Sequence, residues 1–282
     1  MESFQSWWQT IPYRIDPTIF SVGSFQIKYY GLMYILAFSS VYLILGHRIK
    51  KEKLSYTKDI VENYIFIIII FVLIGGRLGY VLFYNLNYFI QNPLEIFLPF
   101  RFKGGFKFTG IAGMSYHGAT ISAFIGTYYF TKKNKLNFFE FSDFVIPAVP
   151  LGYTFGRLGN FINGELYGRI TDSWIGMYFP MAGDDTLRHP SQLYEAFFEG
   201  IFLFFVLWFL RKKEIVKGKL LALYLIFYGL IRFLIEFVRE PDEQLGFVLF
   251  SFSMGQILCF IMVISGIVQI MINNLDKRKQ IF

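Results

Sequence analysis

Seven residues of this chain carry a charge or a titratable ring inside or beside long apolar runs. They are Lys28, Arg77, His117, Arg157, Arg232, Glu236 and Arg239. A charge near a bilayer costs about 2.5–3.5 kcal/mol on insertion scales, so each guanidinium needs a partner or an anchor at the head groups. Arginine forks match phosphate oxygens, and a histidine suits a general base because its unperturbed pKa is about 6.5. These residue types favour a site for a phosphate-bearing ligand.

Local spacing groups several of these residues. Tyr228, Arg232 and Glu236 follow one another at steps of four, so they share one face of a helix. In a low dielectric, the Arg232–Glu236 pair would hold the guanidinium in one orientation. Arg157 and Asn160 are three residues apart and also share a helix face.

The composition indicates a membrane protein. Of the 282 residues, 55% are apolar and 21% aromatic, while 17% are charged, against about a quarter in soluble domains. The one cysteine, Cys259, excludes an intramolecular disulfide and a multi-cysteine metal site. The N-terminus lacks a basic segment followed by an apolar one, so we expect no cleavable signal peptide.

Apolar runs predict an all-α polytopic membrane protein with seven transmembrane helices, the chain 1–282 forming one integral membrane domain. The predicted spans are 28–46, 60–84, 111–130, 141–161, 193–210, 220–238 and 253–272. Segment 85–110 is interrupted by prolines and a glycine pair, so it is expected to form interfacial arms. Polar residues 162–191 are expected to form a small extracytoplasmic (periplasmic) head.

Basic residues set the expected orientation. Segments 47–59, 131–140, 211–219 and 273–282 hold 5, 3, 5 and 3 lysines or arginines, which is 16 of the chain's 27. All four follow odd-numbered spans, so the positive-inside rule places them, and the C-terminus, in the cytoplasm and the N-terminus outside. The net charge of +7 then reflects topology, and nucleic acid is excluded as a partner.

With this orientation, the ionisable residues of five helices lie at one depth, near the outer face. Anchors acting independently would scatter between both faces, so the pattern indicates one polar cavity open to the outer leaflet. The residues alone indicate an enzyme or a transporter acting on an anionic lipid. Glycines at 75, 76, 79, 152 and 156 are expected to allow close helix packing.

Several motifs resemble one known family. Gly156 to Arg169 reads GRLGNFINGELYGR, which is similar to the signature of the bacterial prolipoprotein diacylglyceryl transferases. Shorter matches follow the family's order along most of the chain. They are YYGLMY from Tyr29, GGRLGY from Gly75, YHG from Tyr116, HPSQLYE from His189, YGLIRF from Tyr228, and REPD from Arg239.

The resemblance implies transfer of the diacylglyceryl group of phosphatidylglycerol to the lipobox cysteine of a preprolipoprotein, with release of glycerol phosphate. It also implies seven spans, a periplasmic head, no cofactor, and a location in the bacterial cytoplasmic (inner) membrane. A monomer is compatible with the sequence. The alternatives are an outer-leaflet phospholipid transporter, which predicts charged or broken elements continuing to the cytoplasmic half, and a seven-helix receptor.

If the chain acts as this resemblance implies, we expect Arg157 and Arg232 to hold the phosphate and Asn160 to donate a hydrogen bond to it. Tyr30 is expected to position the head group. The expected catalytic residues are His117, Arg157, Arg232 and Tyr30. The expected substrate-binding residues are Arg157, Asn160, Glu165, Gly168, Tyr228, Glu236, Arg77 and Arg239. No metal ligand is expected.

Some roles stay open at this point. His117 is either the base for the thiol or a hydrogen-bonding partner to a thiol that the arginines already ionise. Tyr30 and Tyr228 are either site residues or aromatics of the membrane-interface belt, while Glu165 and Gly168 either touch lipid or shape the loop. His189 is expected to be a structural hydrogen-bonding residue, and Cys259 a small core residue.

Overall fold

The fold is that of a computed structural model, which describes residues 3–23, 25–98, 100–101, 107–108, 113–240, 247–249 and 252–279. It divides into two compact units. One comprises residues 1–45 and 142–282, and the other residues 46–141.

Helices make up most of the described chain. They are α1 (Phe4–Gln9), α2 (Ile11–Arg14), α3 (Tyr29–Glu52), α4 (Lys58–Tyr84), α5 (Leu86–Gln91), α6 (Tyr116–Lys133), α7 (Phe138–Val145), α8 (Val149–Ile162), α9 (Ser191–Tyr194), α10 (Leu203–Leu210), α11 (Leu220–Ile235) and α12 (Met254–Lys279). Strands form three small antiparallel hairpins. They are β1 (Thr18–Val22) with β2 (Phe25–Lys28), β3 (Phe100–Arg101) with β4 (Lys107–Phe108), and β5 (Phe247–Leu249) with β6 (Phe252–Ser253).

The molecule is a helical polytopic membrane protein. Within the described residues, four helices are long and apolar enough to cross a bilayer: Tyr29–Glu52, Lys58–Tyr84, Ser191–Leu210 and Met254–Asn274. Large apolar side chains on these helices, such as Phe66 and Phe209, are exposed, as lipid-facing side chains must be. The other three predicted spans are also helical, but α6 and α11 are shorter and the span at 141–161 is divided.

Proline divides the predicted span at 141–161. A 3₁₀ turn, Ile146–Ala148, separates α7 from α8, with Pro147 inside it and Pro150 in the first turn of α8. Proline has no N–H to donate and clashes with the preceding turn, so a continuous helix is not available here. The first turn of a helix tolerates proline, and α8 therefore begins cleanly and carries Arg157 towards its C-terminal end.

The helix at 191–210 is wound unevenly. Between α9 and α10, residues Glu195–Phe202 form a π-helical segment, which carries Glu195 and Glu199 on successive turns. Such segments are uncommon and often occur at functional sites. A Cβ at Gly200 would overlap the side chain of Thr154 of α8, so glycine is what lets α8 approach this segment closely.

Small residues also bring α4 and α6 together in the second unit. A Cβ at Gly79 would lie 2.7 Å from Gly118 Cα, and one at Gly75 would lie 2.7 Å from Gly118 O. This confirms the packing role expected for the glycines of α4. The same expectation is confirmed for Gly152, which packs against α3, but is wrong for Gly156, because no atom lies within 4 Å of its Cβ position.

Loop residues 163–190 pack on the N-terminal helix rather than standing alone. Phe161, Met177 and Phe179 form a buried cluster, with Trp8 of α1 packed against it. Trp8 Nε1 donates to Ile175 O at 3.1 Å. The N-terminal helix thus helps to hold this loop region at the end of α8.

The glycine contacts predict a selective loss of stability. Gly118→Ala places a methyl group against the α4 backbone, and overpacking of this kind costs about 1–3 kcal/mol. Gly46→Ala is the control: nothing lies within 4 Å of its Cβ position, so it should be neutral or stabilise the helix by about 0.5–1 kcal/mol. Thermal unfolding in detergent should show a lower midpoint for Gly118→Ala alone; equal midpoints would contradict this account of the packing.

Candidate functional site

Six charged side chains of the first unit form one ion-pair network, here called the arginine–glutamate cluster. Its members are Arg157, Glu195, Glu199, Arg232, Glu236 and Arg239. They come from three places: the C-terminal end of α8, the π-helical segment, and the C-terminal end of α11 with the residues that follow it. Four of the six were expected at the site from sequence, and the structure brings those four together.

Glu195 is the centre of the cluster. Its Oε2 lies 2.7 Å from Arg157 Nε, and its Oε1 lies 2.8 Å from Arg232 Nη1 and 2.9 Å from Arg239 Nη1. The side chain has no solvent exposure. Three guanidinium groups replace the water that this carboxylate has lost, and all three arginines are fixed through one residue.

The other two carboxylates have different surroundings. Glu236 Oε2 lies 2.8 Å from Arg232 Nη2, and Ser253 Oγ donates to Glu236 Oε1 at 2.9 Å. Tyr153 donates to Glu199 Oε2 at 2.5 Å, while the nearest arginine nitrogen to Glu199, Arg232 Nη1, is 3.7 Å away. Glu236 therefore orients Arg232, as the i,i+4 spacing predicted, whereas the ion pair of Glu199 with Arg232 is the longest in the cluster.

Arg157 links the cluster to the loop after α8. Its Nε donates to the hydroxyl of Tyr153 at 2.6 Å, and its Nη1 donates to Asn160 Oδ1 at 3.2 Å. Asn160 in turn donates to Glu165 Oε1 at 2.8 Å. The predicted shared face of Arg157 and Asn160 is confirmed by this direct hydrogen bond, and Glu165 is tied to the same chain of contacts.

The start of the helix at 191–210 holds the loop around Glu165 in place. Gln192 Nε2 donates to Glu165 O at 2.6 Å, and Ser191 Oγ donates to Leu166 O at 3.0 Å. Leu166 has a positive φ of 59°, which is unusual for a residue with a side chain. These contacts stabilise that strained backbone and keep Glu165 beside Asn160.

Burial is unequal between the acids and the arginines. The side chains of Glu195 and Glu199 are fully buried, whereas those of Arg157, Arg232 and Arg239 keep 9–12% of their surface exposed. The two carboxylates therefore lie deepest, and the three arginine side chains are the most exposed members of the cluster. Arginine side chains suit a phosphate group.

The signature motif ends by pairing with the chain after α11. Gly168 bridges to Arg239, and Arg169 N donates to Val238 O at 2.9 Å. A Cβ at Gly168 would lie 2.7 Å from His189 Cβ, so only glycine fits between the segment at His189 and the residues after α11. Of the two roles left open for Gly168, these contacts support shaping of the loop.

Arg169 reinforces this pairing with its side chain. Its Nε donates to Arg239 O at 2.9 Å and its Nη2 approaches Glu236 O at 3.4 Å. Glu236 is the C-cap residue of α11, where cations are favoured by the helix dipole, and Arg239 lies three residues further along the chain. Arg169 thus fixes the backbone that carries Glu236 and Arg239.

The two candidate tyrosines differ in burial. Tyr228 is 6% exposed and packs edge-on against Tyr153, so it belongs to the core beneath the cluster and not to a lipid-facing aromatic belt. Tyr30 is partly buried, with its ring against Gly159 of α8 and its hydroxyl 3.3 Å from that of Tyr34. Both tyrosines therefore lie beside α8, on which Arg157 and Asn160 are located.

Comparison with known proteins decides the family. The family model described as prolipoprotein diacylglyceryl transferase matches residues 17–272. The chain belongs to the prolipoprotein diacylglyceryl transferase family. Relatives named phosphatidylglycerol–prolipoprotein diacylglyceryl transferase include one from Chlorobaculum tepidum, 54% identical over 95% of this chain and 93% of that protein. The relative from Geobacter sulfurreducens is 44% identical over 90% and 94%, and that from Campylobacter lari is 41% identical over 96% and 98%.

Two of the residues carried over from this family, Arg77 and His117, belong to the second unit. Arg77 is buried, and its Nη2 donates to Glu95 O at 2.6 Å, its Nε to Ile96 O at 2.5 Å and its Nη1 to Gly113 O at 3.3 Å. Its guanidinium also lies 4.9 Å from the centre of the Phe89 ring. These contacts make Arg77 a brace for the segment after α4, a role that the sequence did not indicate.

His117 is the second residue of α6 and is partly buried. Ser115 caps this helix by accepting from Gly118 N at 3.2 Å, and Ser115 N donates to Gly76 O at 2.8 Å. The start of α6 is therefore fixed to α4. Lys28, the remaining ionisable residue of the predicted spans, is the exposed last residue of β2.

In the loop region 163–190, the pKa shifts of His189 and Asp184 have simple local causes. Burial lowers the pKa of His189, and its Nδ1 lies 3.2 Å from the Tyr194 hydroxyl. A hydrogen bond from Arg188 lowers the pKa of Asp184 to about 2. His189 thus has the structural role expected of it, and Cys259 is buried as expected.

In the part of the chain that the structure describes, no group of His, Cys, Asp or Glu is arranged to hold a metal ion.

Sequence reasoning for this family member missed three residues of the site: Tyr153, Glu195 and Glu199. The two glutamates are four residues apart within the predicted span 193–210, and a pair of acids in an apolar helix is itself a signal of function. Tyr153 precedes Arg157 by one helical turn, but tyrosines are common in this chain and this one carried no distinguishing mark.

The central position of Glu195 predicts a large effect on stability. Glu195→Gln leaves three buried guanidinium groups without their shared anion, and breaking a buried pair costs about 3–5 kcal/mol. Glu62→Gln is the control, because it removes an exposed i,i+4 pair with Lys58, and exposed pairs contribute about 0.3–0.5 kcal/mol. Denaturant or thermal unfolding of both variants measures the difference; comparable losses would show that Glu195 does not hold the cluster together.

Contacts of Arg169 predict a local effect. Arg169→Gln should release the backbone after α11, and loss of hydrogen bonds from a charged donor corresponds to about tenfold faster amide exchange or more. Peptides covering residues 233–240 report this by hydrogen exchange and mass spectrometry. Arg14→Gln, which removes an exposed hydrogen bond to Thr10, serves as control. Unchanged exchange at 233–240 in Arg169→Gln would contradict the bracing role.

Proposed function

We propose that this chain transfers the diacylglyceryl group of phosphatidylglycerol to the lipobox cysteine thiol of a preprolipoprotein. In this reaction the sulfur attacks a glycerol carbon, the carbon–oxygen bond to phosphate breaks, and a thioether and glycerol phosphate are formed. The names of the relatives support the two substrates. The observation that carries the proposal is the arginine–glutamate cluster, because three arginines that are held in one place by a shared carboxylate suit a departing phosphate.

The leaving group determines what the site must supply. Negative charge builds up on the phosphate oxygen as the bond breaks, so fixed donors aimed at it lower the barrier. Arg157 and Arg232 are the proposed donors, with Arg239 and Asn160 beside them. Because Glu195 and Glu236 already fix these arginines, little reorganisation is needed when the lipid binds.

The thiol proton needs an acceptor, since a free thiol is only a few per cent ionised at neutral pH. His117 is proposed either as this base or as a hydrogen-bonding partner of a thiolate that the arginine field stabilises. Tyr30 is proposed to position the lipid head group. Arg77 contributes by bracing its segment of the chain, which includes Gly113 shortly before the helix of His117.

Seven spans, an outward N-terminus and a cytoplasmic C-terminus are proposed for the chain in the bacterial inner membrane. The positive-inside distribution supports this orientation. Under it, the ends of α8 and α11 and the start of the helix at 191–210 all face outward, together with loop 162–191 as a periplasmic head and segment 85–110 as interfacial arms. The lipid would then reach the site from the outer leaflet.

A transfer assay tests the function. The purified protein is incubated in detergent with phosphatidylglycerol and a lipobox peptide, and glycerol phosphate and the lipidated peptide are quantified. Both products should appear together, and neither should appear with a peptide whose cysteine is replaced by serine. Lipid movement without a thioether product would support the transporter alternative and overturn this proposal.

Two substitutions test the roles within this reaction. Arg157→Lys keeps the charge but loses the planar guanidinium group, which can donate two parallel hydrogen bonds to a phosphate. Loss of one such donor lowers the rate by about 10²–10³-fold. His117→Gln should lower the rate if His117 is the base. Near-normal turnover of Arg157→Lys would exclude phosphate recognition by two hydrogen bonds from the guanidinium of Arg157. Near-normal turnover of His117→Gln would exclude a base at that position.

A further inference from the structure

Glu199 is a buried acid that the proposed reaction does not use. Its side chain is fully buried, and its closest cation is Arg232 Nη1 at 3.7 Å. Within the described residues its Oε1 has no hydrogen-bond partner, while Oε2 accepts from Tyr153 at 2.5 Å. Glu195 and Glu236, by contrast, each have an arginine nitrogen within 2.8 Å.

This environment is unfavourable for a second full negative charge. A buried carboxylate oxygen without a partner costs much of its desolvation free energy, and the neighbouring acid Glu195 already takes the nearby guanidinium groups. A neutral carboxylic acid avoids this cost. The groups around Glu199 are Glu195 on its own helix, Tyr153 and Arg157 from α8, Arg232 from α11, and Cys259 from α12. Glu236 pairs with the same Arg232 through the other terminal nitrogen, Nη2.

The charge of the whole cluster depends on this one proton. Three arginines and three ionised glutamates sum to zero, and the two charged groups that border them, Glu165 and Arg169, cancel each other. With a neutral Glu199 the cluster carries one positive charge. A phosphodiester carries one negative charge, so only the protonated cluster becomes neutral when a phosphodiester lipid is bound.

We propose that Glu199 is a neutral, protonated acid in the resting enzyme and thereby gives the cluster the single positive charge that a phosphodiester lipid requires. The charge-matching part of this inference rests on the proposed function, whereas the protonation state does not. Glu199 is then a specificity-determining residue that acts through the charge of the cluster and never touches the lipid. Loss of its proton at alkaline pH should weaken lipid binding.

Infrared difference spectroscopy tests the proton directly. The wild-type protein in lipid nanodiscs at neutral pH should show the carbonyl band of a protonated carboxylic acid that is absent in Glu199→Gln. The control Glu140→Gln, which changes an exposed acid, should keep the band. Tyr153→Phe removes the donor to Oε2 and should shift the band, which gives a second measurement if Glu199→Gln folds poorly. Identical spectra of wild type, Glu199→Gln and Tyr153→Phe would overturn the proposal.

Kinetics with phosphatidylglycerol test the charge matching. Glutamine mimics the neutral acid and cannot ionise, so the KM of Glu199→Gln should not depend on the charge at this position. The wild-type KM should rise at alkaline pH, and that of Glu199→Gln should not. A KM raised about tenfold or more in a folded Glu199→Gln protein at neutral pH would overturn the proposal. A protonated Glu199 in a protein that transfers no lipid would instead overturn the proposed function and support the assigned proton.

Discussion

A carboxylate that has lost its hydration is stable only where cations take the place of water, and Glu195 meets this condition through three arginines at once. The reverse also holds, because Arg157, Arg232 and Arg239 are largely buried and would each be costly without an anion. The ends of α8 and α11 and the start of the helix at 191–210 must therefore converge on one point. The rest of the unit is arranged so that this convergence is possible.

Several local features make that arrangement possible. The π-helical winding carries Glu195 and Glu199 on successive turns, and Gly200 lets the same segment lie against Thr154 of α8. The pairing of Gly168 with the residues after α11 closes the site from the loop side. Together these features hold the hydrogen-bond donors of the arginines in fixed positions, although arginine side chains are otherwise flexible. Such preorganisation lowers the barrier of a reaction in which a charged group leaves.

The parts of the site that could be predicted from sequence are those set by short-range geometry. Helical spacing was sufficient for the Arg232–Glu236 pair and for the contact of Arg157 with Asn160, and hydrophobicity was sufficient for the approximate helix positions. The place of Glu195 at the centre could not be predicted, because its three partners lie on other segments and their convergence is a tertiary property. The division of the fourth predicted span was foreseeable from its prolines, but the π-helical winding was not, since no residue type specifies it.

The assembly of the cluster from three distant segments also constrains how the chain is made. Synthesis proceeds from the N-terminus, so Arg157 reaches the insertion machinery before Glu195 exists, and Arg232 and Arg239 follow only with α11. An unpaired guanidinium near the bilayer is costly, so the early helix has to remain shielded at the interface or beside other protein until its partner arrives. A nascent chain stalled before α11 leaves Glu195 with Arg157 as its only arginine from the cluster. The cluster is therefore complete only when the late helices have been inserted.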